Sequence, residues 1–229
     1  MKAVIFDLDG VVVNTAKYHY LAWKKLASEL GFEFDIVHNE KLKGVSRMDS
    51  LNIVLEVGGI QNLSEEEKLE LATRKNGYYL DMISKIDESE ILPGIPEFLQ
   101  KIKKEGYLIA LGSASKSGGM ILEKMNLIEQ FDAVVDGNLV EIPKPNPQVF
   151  VKAAELLGVP CENCIVVEDA QAGIEAALAG NMKCIGVGNA ELLGAANTVV
   201  SGTEELTQVD LDSCLLYTSP SPRDGATSR

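Results

Sequence analysis

The sequence predicts an α/β protein: a doubly wound, Rossmann-like parallel-sheet core over 1–14 and 91–212, interrupted by an inserted α-helical cap over 15–90. Three observations predict it. Short apolar runs without polar alternation recur at 4–6, 108–111, 133–136, 165–167 and 184–187, as in strands of a parallel sheet covered on both faces. Between the later runs the apolar spacing switches to three and four, the rhythm of βαβ units. From 15 to 90 the helical rhythm runs on with no strand candidate.

The first strand ends in Asp7-Leu8-Asp9-Gly10. Residues i and i+2 of a strand point the same way, so both carboxylates leave its end together. Two acids aimed at one point repel unless a cation sits between them or they share protons; a lone D-x-D reads equally well as a solvated acidic loop. The cap then opens with Ala22, Trp23, Leu26, Ala27 and Leu30 at helical spacing, stopped by Gly31. A loop, Leu42-Lys43-Gly44-Val45-Ser46-Arg47, leads to a helix marked by Leu51, Val54 and Leu55 that stops at Gly58-Gly59. Ser64 with Glu67 forms a capping-box signature for a long helix through Leu69, Ala72, Tyr79 and Ile83. After Leu92-Pro93-Gly94, helices carrying Phe98 to Ile102, Ile121 to Met125, Val149 to Leu157 and Ile174 to Ala179 alternate with the strands, and Gly106, Gly158 and Gly180 end three of them. The Ser/Thr/Pro-rich stretch over 213–229 drops the pattern and reads as a non-native or disordered tail.

With 229 residues and 46% hydrophobic content the chain builds a sizeable core. A net charge of −13 excludes a nucleic-acid or anionic-membrane surface, since phosphate polymers are bound by basic faces; small anions need only one or two cations. The N-terminal stretch lacks a signal-peptide pattern, no apolar run reaches membrane-spanning length, and the four cysteines form no disulfide framework, which together predict a cytoplasmic protein. Cys161 and Cys164 form a C-x-x-C without a second pair, read as small thiols over a metal or redox motif.

All strand ends of a doubly wound sheet fall on one edge. Asp7 and Asp9, Ser113, Ser115 and Lys116, Lys144, and Glu168 with Asp169 therefore converge on one crevice. Dense acids with oxygen ligands and no histidine call for Mg²⁺. With a hydroxyl and a lysine opposite, the crevice suits a phosphoryl group held between Mg²⁺ and an ammonium while a carboxylate attacks it.

That constellation resembles the haloacid dehalogenase superfamily of phosphotransferases: D-x-D-G at 7–10, Ser113, Lys144 and the Glu168-Asp169 pair. More closely, Asp7-Leu8-Asp9-Gly10-Val11, Lys43-Gly44-Val45-Ser46-Arg47, Arg74-Lys75-Asn76, Ser113-Ala114-Ser115-Lys116 and Glu168-Asp169-Ala170-Gln171-Ala172-Gly173-Ile174 are similar to the β-phosphoglucomutase family over 1–205. The resemblance implies an enzyme interconverting β-D-glucose 1-phosphate and D-glucose 6-phosphate through a β-glucose 1,6-bisphosphate, acting as a monomer. It implies Asp7 as nucleophile, Asp9 as general acid/base, and Ser113 and Lys144 as holders of the phosphoryl group. Asp7, the Asp9 carbonyl, Glu168 and Asp169 would bind Mg²⁺. Gly44, Val45, Ser46 and Arg47 would hold the distal phosphate, with His19, Trp23, Lys75, Ser115, Lys116 and Ser117 contacting substrate.

The chain departs from that pattern at Asn14, where related mutases often carry Asp, and at Ser117, where Asn is common. His19 reads either as a switch for Asp9 or as a surface histidine, Lys75 as substrate contact or solvated helix face, Trp23 chiefly as cap core, and His38 as a surface residue. Two rival functions follow. A sugar-phosphate phosphatase would use the same core with water as acceptor. A non-catalytic phospho-receiver shares the acidic pocket but needs neither the helical insertion nor the Arg47 loop.

Overall fold

The computed structural model describes residues 1–42 and 45–216. Six parallel strands form one sheet in the order β3-β2-β1-β4-β5-β6: β1 (Ala3–Phe6), β2 (Leu108–Gly112), β3 (Ala133–Val135), β4 (Cys164–Glu168), β5 (Lys183–Val187) and β6 (Thr198–Val200). The chain winds outward from β1 to β3, crosses back to β4 and winds outward again to β6. β1 is fully buried, and its alternate residues serve opposite faces as strand geometry requires.

Val4, Phe6, Ile109, Leu111, Ile165 and Val167 pack on one side, under α5 (Ile95–Lys104), α6 (Gly118–Lys124) and α10 (Leu211–Leu216). Ala3, Ile5, Ala110, Cys164 and Val166 pack on the other, under α7 (Gln148–Leu157), α8 (Gln171–Ala179) and α9 (Ala190–Leu193). Phe6 meets Phe98 edge-on at 5.8 Å and Phe131 at 6.0 Å, which makes it the aromatic centre of the first layer.

The cap comprises α1 (Ala16–Glu29), α2 (Ile36–Glu40), α3 (Arg47–Val57) and α4 (Glu65–Ile83). The Ser64–Glu67 capping box is present at the start of α4. The cap has its own apolar cluster, built from Trp23, Leu26, Phe34, Leu51, Val54, Leu55 and Leu71. Two strips of chain join it to the sheet and lie side by side: Val13 bridges Ile91 antiparallel, the Asn14 amide donates to the Glu90 carbonyl (2.8 Å), and the Leu92 amide to the Val12 carbonyl (3.0 Å).

Three elements depart from the sequence expectation. β6 is a three-residue edge strand, too short to give a periodic signal. α2 is a single five-residue turn capped by Asp35. α10 continues past 213, where the tail was expected to begin, because Leu211 and Cys214 are buried against the sheet; 217–229 lie outside the described residues. No helix among the described residues is long and apolar enough to cross a membrane.

Phe98→Ala removes the ring that covers Phe6 and should cost about 3–5 kcal/mol of unfolding free energy in urea titrations; a loss below about 1 kcal/mol would show that the layer collapses to fill the gap.

Candidate active site

The crevice lies where the winding reverses. β1 runs between β2 and β4, with Phe6 level with Leu111 and with Val167. Asp7, Ser113 and Glu168 therefore emerge at the same edge of the sheet, the position where doubly wound folds bind ligands. The Asp7 amide donates to the Val167 carbonyl at 3.0 Å and the Ser113 amide to the Val135 carbonyl at 2.9 Å, so the sheet ladder continues one step into the site.

Lys144 ties the crevice together. Its buried ammonium donates to Asp7 Oδ1 at 2.5 Å and to Glu168 Oε2 at 2.8 Å, and lies 4.5 Å from the Phe150 ring centre. The Ala170 amide donates to Glu168 Oε1 at 3.1 Å. Asp7, Glu168 and Asp169 each offer a carboxylate oxygen, all within 4.8 Å of one another. Two glycines let the acids approach. Gly10 has φ +84° and a Cβ there would stand 2.3 Å from Asp169 Oδ2; a Cβ on Gly173 would stand 2.0 Å from the Glu168 carboxyl carbon.

Burial and like charge raise the proton affinity of two of the crevice acids. Burial pushes Glu168 up to about 8, helped by Asp7 and Asp169 and opposed by Lys144. Asp9 rises to about 6, first from burial and then from Asp7. Burial alone would lower Lys144, but Asp7 and Glu168 outweigh it and raise it. The all-oxygen donor set of Asp7, Glu168 and Asp169 fits a hard divalent cation.

Ser113 is buried, and its Oγ accepts from the Ser115 amide at 3.1 Å, while Ser115 Oγ accepts from the Ser117 amide at 3.3 Å. This ladder fixes the loop that opens α6. Lys116 is exposed, and its carbonyl accepts from Asn138.

On the cap side, Ser46 caps α3, accepting from the Asp49 amide at 3.2 Å and donating to Asp49 Oδ2 at 2.6 Å. Val45 is half-buried and Arg47 exposed; Gly44 lies outside the described residues. Lys75 Nζ stands 2.9 Å from His19 Nδ1 and 4.6 Å from the Trp23 ring centre, while His19 stacks on Tyr79 at 3.9 Å. An ammonium has only protons to give, so charged Lys75 makes His19 Nδ1 the acceptor. Burial, then Lys75 and Arg47, hold His19 well below its usual range, leaving a neutral imidazole. Lys75 is 3% exposed, which rules out the solvated-face alternative, and the enclosed His19 is no surface histidine. Trp23 belongs to the cap core and also floors Lys75. Lys75 and Asp9 act on each other's proton affinity, so the cap cluster and the core crevice share one field.

Thr15 was not among the expected residues. Its buried hydroxyl donates a short hydrogen bond to Asp9 Oδ1. Standing just before α1, it reads in sequence as an ordinary helix cap, yet its side chain makes no capping bond. His38 is half-buried on α2. Cys161 and Cys164 are free, and burial pushes Cys164 up to about 12, so this C-x-x-C is not a thiolate pair.

A family model described as haloacid dehalogenase-like hydrolase matches residues 1–181. The chain belongs to this family. Among the haloacid dehalogenase-like proteins it is 43% identical over 208 residues to the β-phosphoglucomutase of Bacillus subtilis, covering 90% of this chain and 92% of that one. The crystal structure of β-phosphoglucomutase from Clostridium difficile superposes with a TM-score of 0.86 at 42% identity, over 95% of this chain and 100% of that one. A phosphorylated carbohydrates phosphatase of Thermotoga maritima is 27% identical over 187 residues, 81% of this chain and 84% of the relative.

Lys75 is drawn from its ordinary 10.5 down to about 7, first by burial and then by Arg47. A depressed pKa means that the unfolded chain binds the proton more tightly; the stability associated with Lys75 is full above pH 10.5 and lost as pH falls through about 7. Lys75→Met should therefore raise the melting temperature most near pH 6, with the gain shrinking toward pH 10. A gain independent of pH across thermal melts would refute a strained ammonium at this position.

Proposed function

We propose that the protein interconverts β-D-glucose 1-phosphate and D-glucose 6-phosphate through a β-glucose 1,6-bisphosphate, working as a monomer in the cytoplasm. The observation that carries this reading is the 43% identity to a β-phosphoglucomutase over 90% of the chain, because that span includes the cap as well as the core. A core match alone would support any phosphoryl transfer.

Asp7 is the nucleophile. Its carboxylate attacks phosphorus, the bond to the departing sugar oxygen breaks, and an aspartyl-phosphate forms. Lys144, within 2.5 Å of Asp7, neutralises charge on the group in flight, and Ser113 donates to it. Asp9 is the proton carrier: with a pKa near 6 it takes the proton of an attacking sugar hydroxyl and returns it to a leaving oxygen at neutral pH. Asp7, Glu168, Asp169 and the Asp9 carbonyl would hold Mg²⁺, which supplies the remaining positive charge that the dianionic phosphoryl group requires. Arg47, with Gly44, Val45 and Ser46, grips the distal phosphate through the guanidinium fork. His19, Trp23 and Lys75 from the cap, and Ser115, Lys116 and Ser117 from the core, line the sugar.

The phosphatase alternative rests on the Thermotoga relative and on chemistry common to both, since water reaching the aspartyl-phosphate would release inorganic phosphate. Product analysis separates them. With β-glucose 1-phosphate and a trace of bisphosphate, glucose 6-phosphate should accumulate; stoichiometric inorganic phosphate with little isomerisation would establish the phosphatase instead. Asp7→Asn should lower turnover by at least about 10³-fold and abolish the acid-stable, hydroxylamine-sensitive phosphoenzyme. A phosphoenzyme retained in that variant would move the nucleophile elsewhere.

A further inference from the structure

We propose that the Tyr79 hydroxyl is a substrate-positioning group, without a hydrogen-bond partner among the described residues and donating to an oxygen of the bound sugar phosphate. The proposal rests on the function given above and adds a residue to its sugar site.

Tyr79 sits on α4 with its ring flat against His19, 3.9 Å away and 15° from parallel. The residue is 2% exposed, and its Oη has no hydrogen-bond partner among the described residues. Buried phenols ordinarily find a partner, and one that does not lowers stability. A phenylalanine would fill the same space and stack on the same imidazole without that cost, so packing does not account for the hydroxyl.

Its neighbours indicate what would satisfy it. The Asp9 carboxylate, the Ser115 hydroxyl and the Arg47 guanidinium all act on Tyr79, placing Oη where α4 of the cap meets the strand-end loops of the core. Ser115 lies close enough to act on the phenol as a weak hydrogen-bonding neighbour, but no described residue meets Oη in hydrogen-bond geometry, and the Ser115 oxygen already accepts from the Ser117 amide. Burial and Asp9 keep the phenol protonated, so it can donate. The ring is held by His19, itself held by Lys75, so the donor is fixed before ligand arrives. A sugar phosphate brings hydroxyl and phosphate oxygens into this space, each able to accept.

The test is Tyr79→Phe with two phosphoryl donors, the sugar phosphate and acetyl phosphate, which carries no sugar. With the sugar phosphate, kcat/KM should fall about three- to tenfold, the range for one neutral hydrogen bond. Phosphoenzyme formation from acetyl phosphate should be unchanged, and the melting temperature of the free variant should equal or exceed that of the wild type. Equal kcat/KM in variant and wild type would overturn the proposal. A lower melting temperature with matching losses for both donors would assign Tyr79 a merely structural role and would equally overturn it. A wild type that turns over no sugar phosphate ends the functional reading itself, a result distinct from an active wild type with an equally active variant.

Discussion

One ammonium holds the active crevice together. Lys144 is enclosed between Asp7 and Glu168, with a third carboxylate, Asp169, in the same cluster. Burial, first, and neighbouring carboxylates, second, raise the proton affinities of Glu168 and Asp9. A buried pair of this kind is poor ground for stability, since desolvation consumes most of the attraction. Its value lies in readiness: the crevice already has the charge pattern that a divalent cation and a phosphoryl group would complete. Gly10 and Gly173 belong to the same constraint, because any side chain at either position would displace the carboxylates that Lys144 and a cation must share.

The cap holds a second set of groups in comparable tension. Lys75 and His19 are both less protonated than they would be in water. Thr15, at the base of the cap, holds Asp9, so that carboxylate is tied to the segment that connects the two parts of the molecule. The paired strips at Val13 and Ile91 carry the chain between the cap and the sheet, and Ala22, Tyr79 and Ile83 of the cap helices join the apolar cluster on one face of that sheet, so cap and core are two bodies in contact. In such an arrangement the choice between mutase and phosphatase depends on how completely the two bodies meet to exclude water.

The sheet and its acids were legible in the sequence because their signals are local and strong. β1, β2 and β4 carry unbroken apolar runs, with Asp7 directly after β1, Glu168 closing β4 and Asp169 directly after it. Lys144 could be placed only through topology and motif order, as it follows no strand. β6 and α2 left too little pattern, with three and five residues respectively. The cap residues were ambiguous for a physical reason: the polar face of an amphipathic helix looks the same whether it meets bulk water or another domain across a cleft. Lys75 thus read as either solvated or functional, and Tyr79 read as core because the pattern records its ring and not its hydroxyl. Thr15 was hidden by its resemblance to a cap.

The sheet order also bears on how the molecule comes into being. β1 lies at the middle of the sheet, yet one of its two flanking strands, β4, begins only at Cys164, and Lys144 follows Asp7 by 137 residues. At about 5–20 residues per second, roughly 7–30 seconds of ribosomal synthesis separate Asp7 from its counter-charge. A nascent chain therefore carries Asp7 on an apolar segment that has no partner strand until β2 is made and only one until β4 follows. Long-range pairing of this kind slows folding and leaves that segment in need of shelter from aggregation during translation.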